Sequence, residues 1–322
     1  MKNILTYIEL KDGAPIKLSL ESLSEASKIA KEHSVESIAL IFEKLSEDEM
    51  SKLKGAGSDK IVLVERNSYN MEDFSNAIVK IAGKYDVKDI FIPGSLDGKD
   101  LAPNIAASLD TVSITNVMDI KFENDEINYV TPSYGATVLT LSKIKKAPRV
   151  ITIRSGSFDK REDLNGKGLF IEEKVDEIKD LKAIIKEVVK STEAQVNLED
   201  APIIITCGRG ASSENIYPLV EELAKVFNAP ISGTRPVIDD GVLPKSSQIG
   251  QSGKIVSPKL YIGCGVSGAV QHISGMEKSN FILAINKDED APIFQIADIG
   301  IVGDCAKILP LFIEEVKKIK AN

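Results

Sequence analysis

The sequence predicts an α/β protein of two domains: an N-terminal parallel-sheet domain with a mixed or antiparallel extension, and a C-terminal doubly wound domain. Three observations predict it. Short β-branched runs alternate with helical patterns through the first 110 residues, consecutive strand-like runs follow without a helix between them, and a second alternation starts after residue 202. A chain of 322 residues, 43% hydrophobic and 27% charged, is long enough to bury two cores.

The elements follow in order. ILTYIEL (4–10) reads as a strand, then a helix over 21–33 and the strand SIALIF (37–42). KIVLVE (60–65), a helix over 71–84, DIFIPG (89–94) and a helix over 98–109 continue the rhythm. Such alternation makes parallel strands joined by right-handed crossovers. After Asp110 the runs VSITNVMDIKF, EINYVTPSY, ATVLTLSKI and RVITIRSGSF read as successive strands that extend the sheet. KDLKAIIKEVVKS (179–191) is predicted to close the unit as a helix, and the polar, proline-ended stretch after it is a linker. The expected division is a domain at 1–191, a linker at 192–201 and a domain at 202–322.

IIITC (203–207) opens the second domain as a buried strand. The next helix carries Ile216, Leu219, Leu223 and Phe227 at helical spacing, and Pro218 sets its regular start near Tyr217, because proline belongs in a first turn. KLYIGC (259–264), a short helix after Val266, FILAIN (281–286), IGIVG (299–303) and a final helix over 310–320 complete the pattern. Residues 233–258 are irregular, rich in glycine and proline, and too apolar for a solvated tail, which predicts an ordered ligand loop.

Composition excludes several classes. The net charge is −8, with 48 acidic and 40 basic residues spread along the chain, so no basic face is available for nucleic acid. The start MKNILTYIELKDG lacks a signal-peptide pattern and no apolar run approaches the ~20 residues of a bilayer span, so the expectation is a cytoplasmic protein without membrane insertion. Cys207, Cys264 and Cys305 lack CxxC spacing, which argues against disulfides and structural zinc; Cys207 and Cys264 read as small apolar fillers. The Asp239–Asp240 pair has no third ligand at suitable spacing, and no metal is expected.

Two segments carry chemistry. GCGVSG (263–268) is a GxGxxG between a strand and a helix, where glycines let backbone N–H groups approach a pyrophosphate; Asp288 fits the acidic residue that completes such fingerprints. The motif sits late in its domain, however, and the helix after it is interrupted by Ser274 and Gly275, which lowers a nicotinamide reading. CGRGAS (207–212) repeats the device at an earlier strand end and sets Arg209 beside exposed amides. Strand C-termini of a parallel sheet gather on one edge, so both loops are expected to face one crevice.

From Gly208 to Asp304 the sequence resembles the FAD-binding domain of electron-transfer flavoprotein alpha subunits. The resemblance rests on GRG, the TRP loop, IGQSGK (249–254), LYIGCGVSGAVQH (260–272), AINKD (284–288) and APIFQIADIGIVGD (291–304), in order and spacing. A weaker match, including LDGKDLAP (96–103) and RVITIRSGSFD (149–159), covers the first part of the chain.

The resemblance implies a role for each residue. Arg209 and the amides and hydroxyl around Ser267, Gly268, Ala269 and Val270 would hold the pyrophosphate. Asn286 and Asp304 would bind the adenosine half, and Gln271 lies in the same stretch. Arg235 would lie over the isoalloxazine ring beside Thr234, and Ile249, Gly250, Gln251 and Ser252 would line it, with the Ser252 hydroxyl reaching N5. His272 would point an imidazole donor at the N1 and C2 carbonyl edge, where Arg235 and His272 together would stabilise the negative charge that reduction creates. Thr234 stands where serine is common and Ser252 where threonine is common; both keep a hydroxyl.

The implied activity is electron carriage in a heterodimer. The carrier takes electrons from acyl-CoA dehydrogenases or related flavoenzymes, and its beta subunit holds AMP. The alternative within the family is a bifurcating complex whose beta subunit holds a second FAD, oxidises NADH and divides the electrons between ferredoxin and a CoA-ester. An alternative from another class is a nicotinamide-dependent dehydrogenase or nucleotide sensor built on GCGVSG.

Overall fold

Strands that are apolar along their whole length must be covered on both faces, and the first unit is built on such strands. The computed structural model describes residues 2–123, 126–134, 138–183 and 198–321. The chain divides into two units, Met1–Val189 and Lys190–Asn322.

In unit 1, β1 (Asn3–Tyr7) leads through the hairpin of β2 (Leu10–Lys11) and β3 (Ala14–Pro15) to α1 (Lys17–Glu32) and β4 (Ser37–Ile41). Then come α2 (Glu47–Gly55), β5 (Lys60–Leu63), α3 (Met71–Lys84), β6 (Val87–Pro93) and α4 (Leu96–Ser108). The unit ends with β7 (Ser113–Val117), β8 (Asp119–Glu123), β9 (Glu126–Ser133), β10 (Val138–Ser142), β11 (Arg149–Ile153) and β12 (Leu169–Glu172). Seven strands form one sheet in the order β12-β5-β4-β1-β6-β11-β7, every pair parallel. Every residue of β4 is buried, as a doubly covered parallel strand requires. Ile78, Ile81, Leu101 and Ile105 of α3 and α4 pack with Leu5, Leu40 and Ile90. On the opposite side Ala26 and Ile29 of α1 join Ile4, Phe91, Ile151 and Tyr129.

Helix starts are set by short polar side chains. Ser46, Asn70 and Ser95 accept the N–H groups of Glu49, of Glu72 and Asp73, and of Gly98. The Ser46–Glu49 spacing is a capping-box signal, and it marks α2, which the strand–helix rhythm alone passes over.

The segment after Asp110 differs from the expected sheet extension. The run VSITNVMDIKF splits at Met118, between β7 and β8, just after Asn116, which adopts φ 65°, a left-handed conformation asparagine tolerates. Before the split, β7 joins the parallel sheet; after it, β8, β9 and β10 form a separate three-stranded antiparallel sheet. β11 returns between β6 and β7, so contiguous sequence does not mean contiguous sheet. Arg149 on β11 donates to both carboxylate oxygens of buried Asp89 on β6, at 2.5 and 2.7 Å, which pins this insertion. The helix expected at 179–191 is not formed at 179–183, and its remainder lies outside the described residues.

Unit 2 contains β13 (Ile203–Cys207), α5 (Tyr217–Phe227), β14 (Ile231–Gly233), α6 (Arg235–Asp239), β15 (Leu260–Cys264), α7 (Val270–Ile273), β16 (Ile282–Asn286), β17 (Ile299–Val302) and α8 (Cys305–Ala321). Its five strands are all parallel in the order β14-β13-β15-β16-β17. Renumbered from the first, the order is 2-1-3-4-5, so the winding direction reverses between β13 and β15. Val220 and Leu223 of α5 and Leu309 and Ile313 of α8 cover one face with Ile205, Ile262 and Ile285. The other face is covered by Leu198, Ile249, Val256 and Met276 against Ile204, Tyr261 and Ile282. The irregular segment is therefore a packed layer of the fold.

Two local expectations change. Arg235 precedes Pro236, which favours extended backbone, yet Arg235 is the first residue of α6 with the proline in its first turn, a position that suits proline's fixed φ. The last helix begins at Cys305 rather than near Pro310, because the Asp304 carboxylate accepts the Ala306 N–H at 2.9 Å and starts the helix there.

Candidate cofactor site

Ligands of open parallel sheets sit outside the strand C-termini where the winding reverses, and here that point lies between β13 and β15. Cys207 and Cys264 end these strands in register, and Gly208 N donates to Cys264 O at 2.8 Å. The two glycine loops then interlock: a Cβ on Gly208 would stand 2.2 Å from Gly265 O, and one on Gly265 would stand 2.6 Å from Ala211 N. No side chain fits between them.

Above the interlock lies a cleft of about 810 Å³, within the range of small-molecule and cofactor sites. The structure brings thirteen of the fifteen expected residues to its walls: Arg209, Thr234, Arg235, Ile249, Gly250, Gln251, Ser252, Ser267, Gly268, Ala269, Gln271, His272 and Asn286. Gly210, Pro236, Gln248, Gly265, Val266, Lys287 and Asp288 line it as well. Lys287 and Asp288 stand in the AINKD segment directly beyond Asn286, so the strand-end position was a legible signal for both.

The donor set at the back of the cleft is made of backbone. Among the described residues the N–H groups of Ser267, Gly268, Ala269 and Gln271, which line the cleft, donate to no protein acceptor. The loop is braced from below: Asn286 Nδ2 donates to Val266 O at 2.8 Å, and Ile293 N donates to Ser267 O at 3.1 Å. Gly268 has φ 83°, and a Cβ there would lie 2.3 Å from Ile293 N. α7 is one turn of four residues, so the anion-binding capacity comes from the loop amides rather than from a long helix dipole. The nicotinamide reading loses its physical basis here, since its fingerprint needs a full helix after the first strand of the unit.

Charge and hydroxyl groups complete the walls. Arg209 has no carboxylate partner among the described residues. Arg235 Nε lies 3.3 Å from Asp239 Oδ2, and its side chain is 71% exposed, so the guanidinium is held by a solvated i,i+4 pair rather than fixed. The Ser252 oxygen accepts from Gln248 Nε2 at 2.9 Å, which leaves its O–H to donate. The expectation for His272 changes: Nδ1 lies 3.1 Å from Ile249 O and Nε2 2.8 Å from the Tyr261 hydroxyl. Both ring nitrogens are engaged inside the protein, and burial holds the imidazole's pKa down to about 4, against the opposing effect of the Ile249 carbonyl. His272 therefore presents a neutral ring, not an N–H donor, to the cleft.

Two expected residues are elsewhere. Val270 is not among the lining residues and is 49% exposed. Asp304 caps α8 through its carboxylate and likewise stays out of the lining. An aspartate just before a helix reads equally well as a cap or a ligand in sequence. The three cysteines are buried, and burial raises each thiol, which agrees with a filling role. Among the described residues no group of His, Cys, Asp or Glu is arranged to hold a metal, and no helix is long and apolar enough to cross a membrane.

The arrangement suits a ligand with an anionic centre and a planar ring. Consecutive free amides with Arg209 match a pyrophosphate. The backbone strip 249–252, Arg235 and His272 line the cleft as well. FAD fits these residues in kind.

A family model described as "Electron transfer flavoprotein domain" matches residues 4–178, and one described as "Electron transfer flavoprotein FAD-binding domain" matches residues 197–277. The chain is 35% identical over 327 residues to "Electron transfer flavoprotein subunit alpha" of Thermoanaerobacterium thermosaccharolyticum, covering 99% of each chain. It is 32% identical over 325 residues to the protein of the same name in Bacillus subtilis, covering 100% of this chain and 99% of that one. It is also 31% identical over 354 residues to "Acryloyl-CoA reductase electron transfer subunit beta" of Anaerotignum propionicum, covering 99% of this chain and 96% of that one.

Proposed function

Because this chain belongs to the electron transfer flavoprotein family and matches its alpha subunits from end to end, we propose that it is the FAD-holding subunit of a two-subunit electron carrier. The observation that carries this reading is the switch-point cleft, with its run of free amides beside Arg209 and the backbone strip 249–252 in its lining.

A bound FAD supplies the chemistry of accepting and releasing electrons. The chain's part is to hold and tune. The amides of Ser267, Gly268, Ala269 and Gln271 with Arg209 would bind the pyrophosphate, and the Asn286 amide, already tied to Val266 O, keeps that loop in place. Ser252 offers its O–H to the ring, since its oxygen is already taken by Gln248. Arg235 adds positive charge at the mouth, screened by Asp239 and solvent.

The lining residues of the cleft belong to unit 2, and the role of unit 1 in this reading is to bind the beta subunit. β10 supports that assignment: it is an edge strand, and Val138, Leu139 and Leu141 are 48%, 58% and 52% exposed. Exposed apolar edges of this kind are covered by partners. The beta subunit holds AMP in the simple carrier, and the electron donor is an acyl-CoA dehydrogenase or a related flavoenzyme.

The similarity to the acryloyl-CoA reductase electron transfer subunit supports a second reading, in which the beta subunit holds another FAD and the complex oxidises NADH and bifurcates its electrons. One experiment separates the two. The chain is co-purified with its beta subunit, flavins are counted per heterodimer, and NADH is tried as donor during a redox titration. One FAD and no reduction by NADH favour the simple carrier; two FADs with NADH reduction favour bifurcation. A colourless complex that takes up no flavin rejects both.

A further inference from the structure

Four polar side chains are buried in the strands and the turn that carry the cleft. Ser232 on β14 and Thr206 on β13 are register partners, with their hydroxyl oxygens 2.7 Å apart. The Tyr261 hydroxyl of β15 is 2.8 Å from His272 Nε2, and His272 Nδ1 is 3.1 Å from Ile249 O. Ser232, Thr206 and Tyr261 are wholly buried and His272 is 6% exposed. Space for the tyrosine ring comes from Gly263, where a Cβ would stand 3.1 Å from Tyr261 Cε1.

The direction of the bonds at His272 follows from one fixed end. A carbonyl oxygen only accepts, so Nδ1 carries the ring proton and, in the neutral imidazole, Nε2 accepts. Tyr261 must then donate to Nε2, so each donor in the Tyr261–His272–Ile249 line has an acceptor, as buried polar groups require. Burial disfavours both the imidazolium and the phenolate, which keeps the line in this state.

We infer that Tyr261 is a positioning residue: by donating to Nε2 it holds the His272 ring, whose Nδ1–H tautomer the Ile249 carbonyl selects and whose bond to that carbonyl holds the 249–252 wall of the cleft. His272 is then a strut and not a charge. The wall has a second tie to the same turn, Gln251 N to Gln271 O at 2.7 Å, so residues 271 and 272 together set where it stands. The inference rests on the proposed cofactor only for its second readout.

The first readout needs no flavin. The chain has two histidines, His33 and His272, so histidine labelled with ¹⁵N in the full-length protein gives two ring systems to assign. His272 is expected to show a protonated Nδ1 and an unprotonated Nε2, unchanged from pH 5.5 to 8. Tyr261→Phe is expected to keep the tautomer, to move the ¹⁵N resonance of Nε2 to that of an acceptor without a donor, and to weaken FAD binding about three- to tenfold, the worth of one buried hydrogen bond. An Nε2–H tautomer or a doubly protonated ring at pH 7 in the unmodified chain overturns the inference, as does Tyr261→Phe with unchanged Nε2 resonance and affinity.

A second pair of variants serves if the phenylalanine protein does not fold. The side-chain amide of His272→Asn reaches where Nδ1 stands, whereas that of His272→Gln reaches toward Nε2. Asparagine is expected to keep FAD affinity within about threefold, and glutamine to lose at least about tenfold. Equal losses in the two overturn the strut. If the chain binds no FAD in any form, the tautomer measurement still decides the inference while the cofactor reading fails.

Discussion

Gly268 offers a direct test of the cleft, because the structure gives each part of the cost of filling its empty Cβ position. With φ 83°, an L residue pays roughly 1–2 kcal/mol for the left-handed backbone. The added Cβ would lie 2.3 Å from Ile293 N and 2.6 Å from Ile293 Cα, and backbone cannot rotate aside as a side-chain tip can. Ile293 must move, which breaks its N–H bond to Ser267 O, a loss of about 1 kcal/mol. Gly268→Ala should therefore destabilise unit 2 by about 2–4 kcal/mol, or lower its Tm by about 8–16 °C at about 4 °C per kcal/mol. Gly241 provides the control: its φ is 74° with nothing within 4 Å of the Cβ position, so Gly241→Ala should show the backbone part alone. Thermal unfolding of the three full-length proteins without flavin gives the stabilities. FAD titration gives the second measure, and Gly268→Ala should weaken binding at least about tenfold by displacing the amides of Ser267, Gly268, Ala269 and Gln271. Equal Tm values for the two variants, or flavin affinity retained in Gly268→Ala, would refute the reasoning.

Other variants probe the remaining parts. Arg235→Ala should keep FAD bound and lower the first-electron potential, by no more than about 40 mV for a pair this exposed; Arg209→Ala should instead lose flavin, and a reversal of the two phenotypes in potentiometry and binding would exchange their roles. The unfolded chain protonates histidine near pH 6.5, whereas folded His272 resists until about pH 4. Between these values the unfolded state binds more protons, so His272 costs stability as pH falls, up to about 3 kcal/mol, and costs nothing above pH 6.5. Urea unfolding should show the advantage of the native protein over His272→Asn shrinking from pH 7 to 4.5, and a constant difference would contradict the burial of this ring. Leu139→Glu with Leu141→Glu should leave the fold intact but weaken association with the beta subunit in sedimentation, and an unchanged complex would move the interface off β10.

Where local sequence decided the structure, it could be read. IIITC is bracketed by Pro202 and Gly208, and β13 runs from Ile203 to Cys207. Pro218 marks the first turn of α5, which starts at Tyr217. The cleft was legible because its glycine loops are sequence signatures of close backbone approach. What escaped depended on competition or on topology. Asp304 could cap or bind, and the nearest unsatisfied donor, the Ala306 N–H, took it. Arg235 lies in a helix that its following proline alone argues against, and β14 spans only Ile231–Gly233, too short for any periodicity. Tyr261 reads as an ordinary core residue within a strand. Its hydroxyl acquires meaning only when the 249–252 segment folds back over His272.

The interlocked glycine loops also set an order of events during folding. Gly208 and Gly265 meet across strands whose register partners, such as Cys207 and Cys264, are separated by the whole of α5, β14 and the irregular segment. Parallel contacts of such sequence separation form slowly, since a long loop must close before they reward it. The free amides of Ser267, Gly268, Ala269 and Gln271 are not arrayed until that closure is complete, and neither Arg209 nor the 249–252 wall faces them before then. Cofactor capture is thus a late step for this chain. It cannot nucleate unit 2, but it can trap the finished unit, so flavin supplied during refolding should slow unfolding far more than it speeds folding.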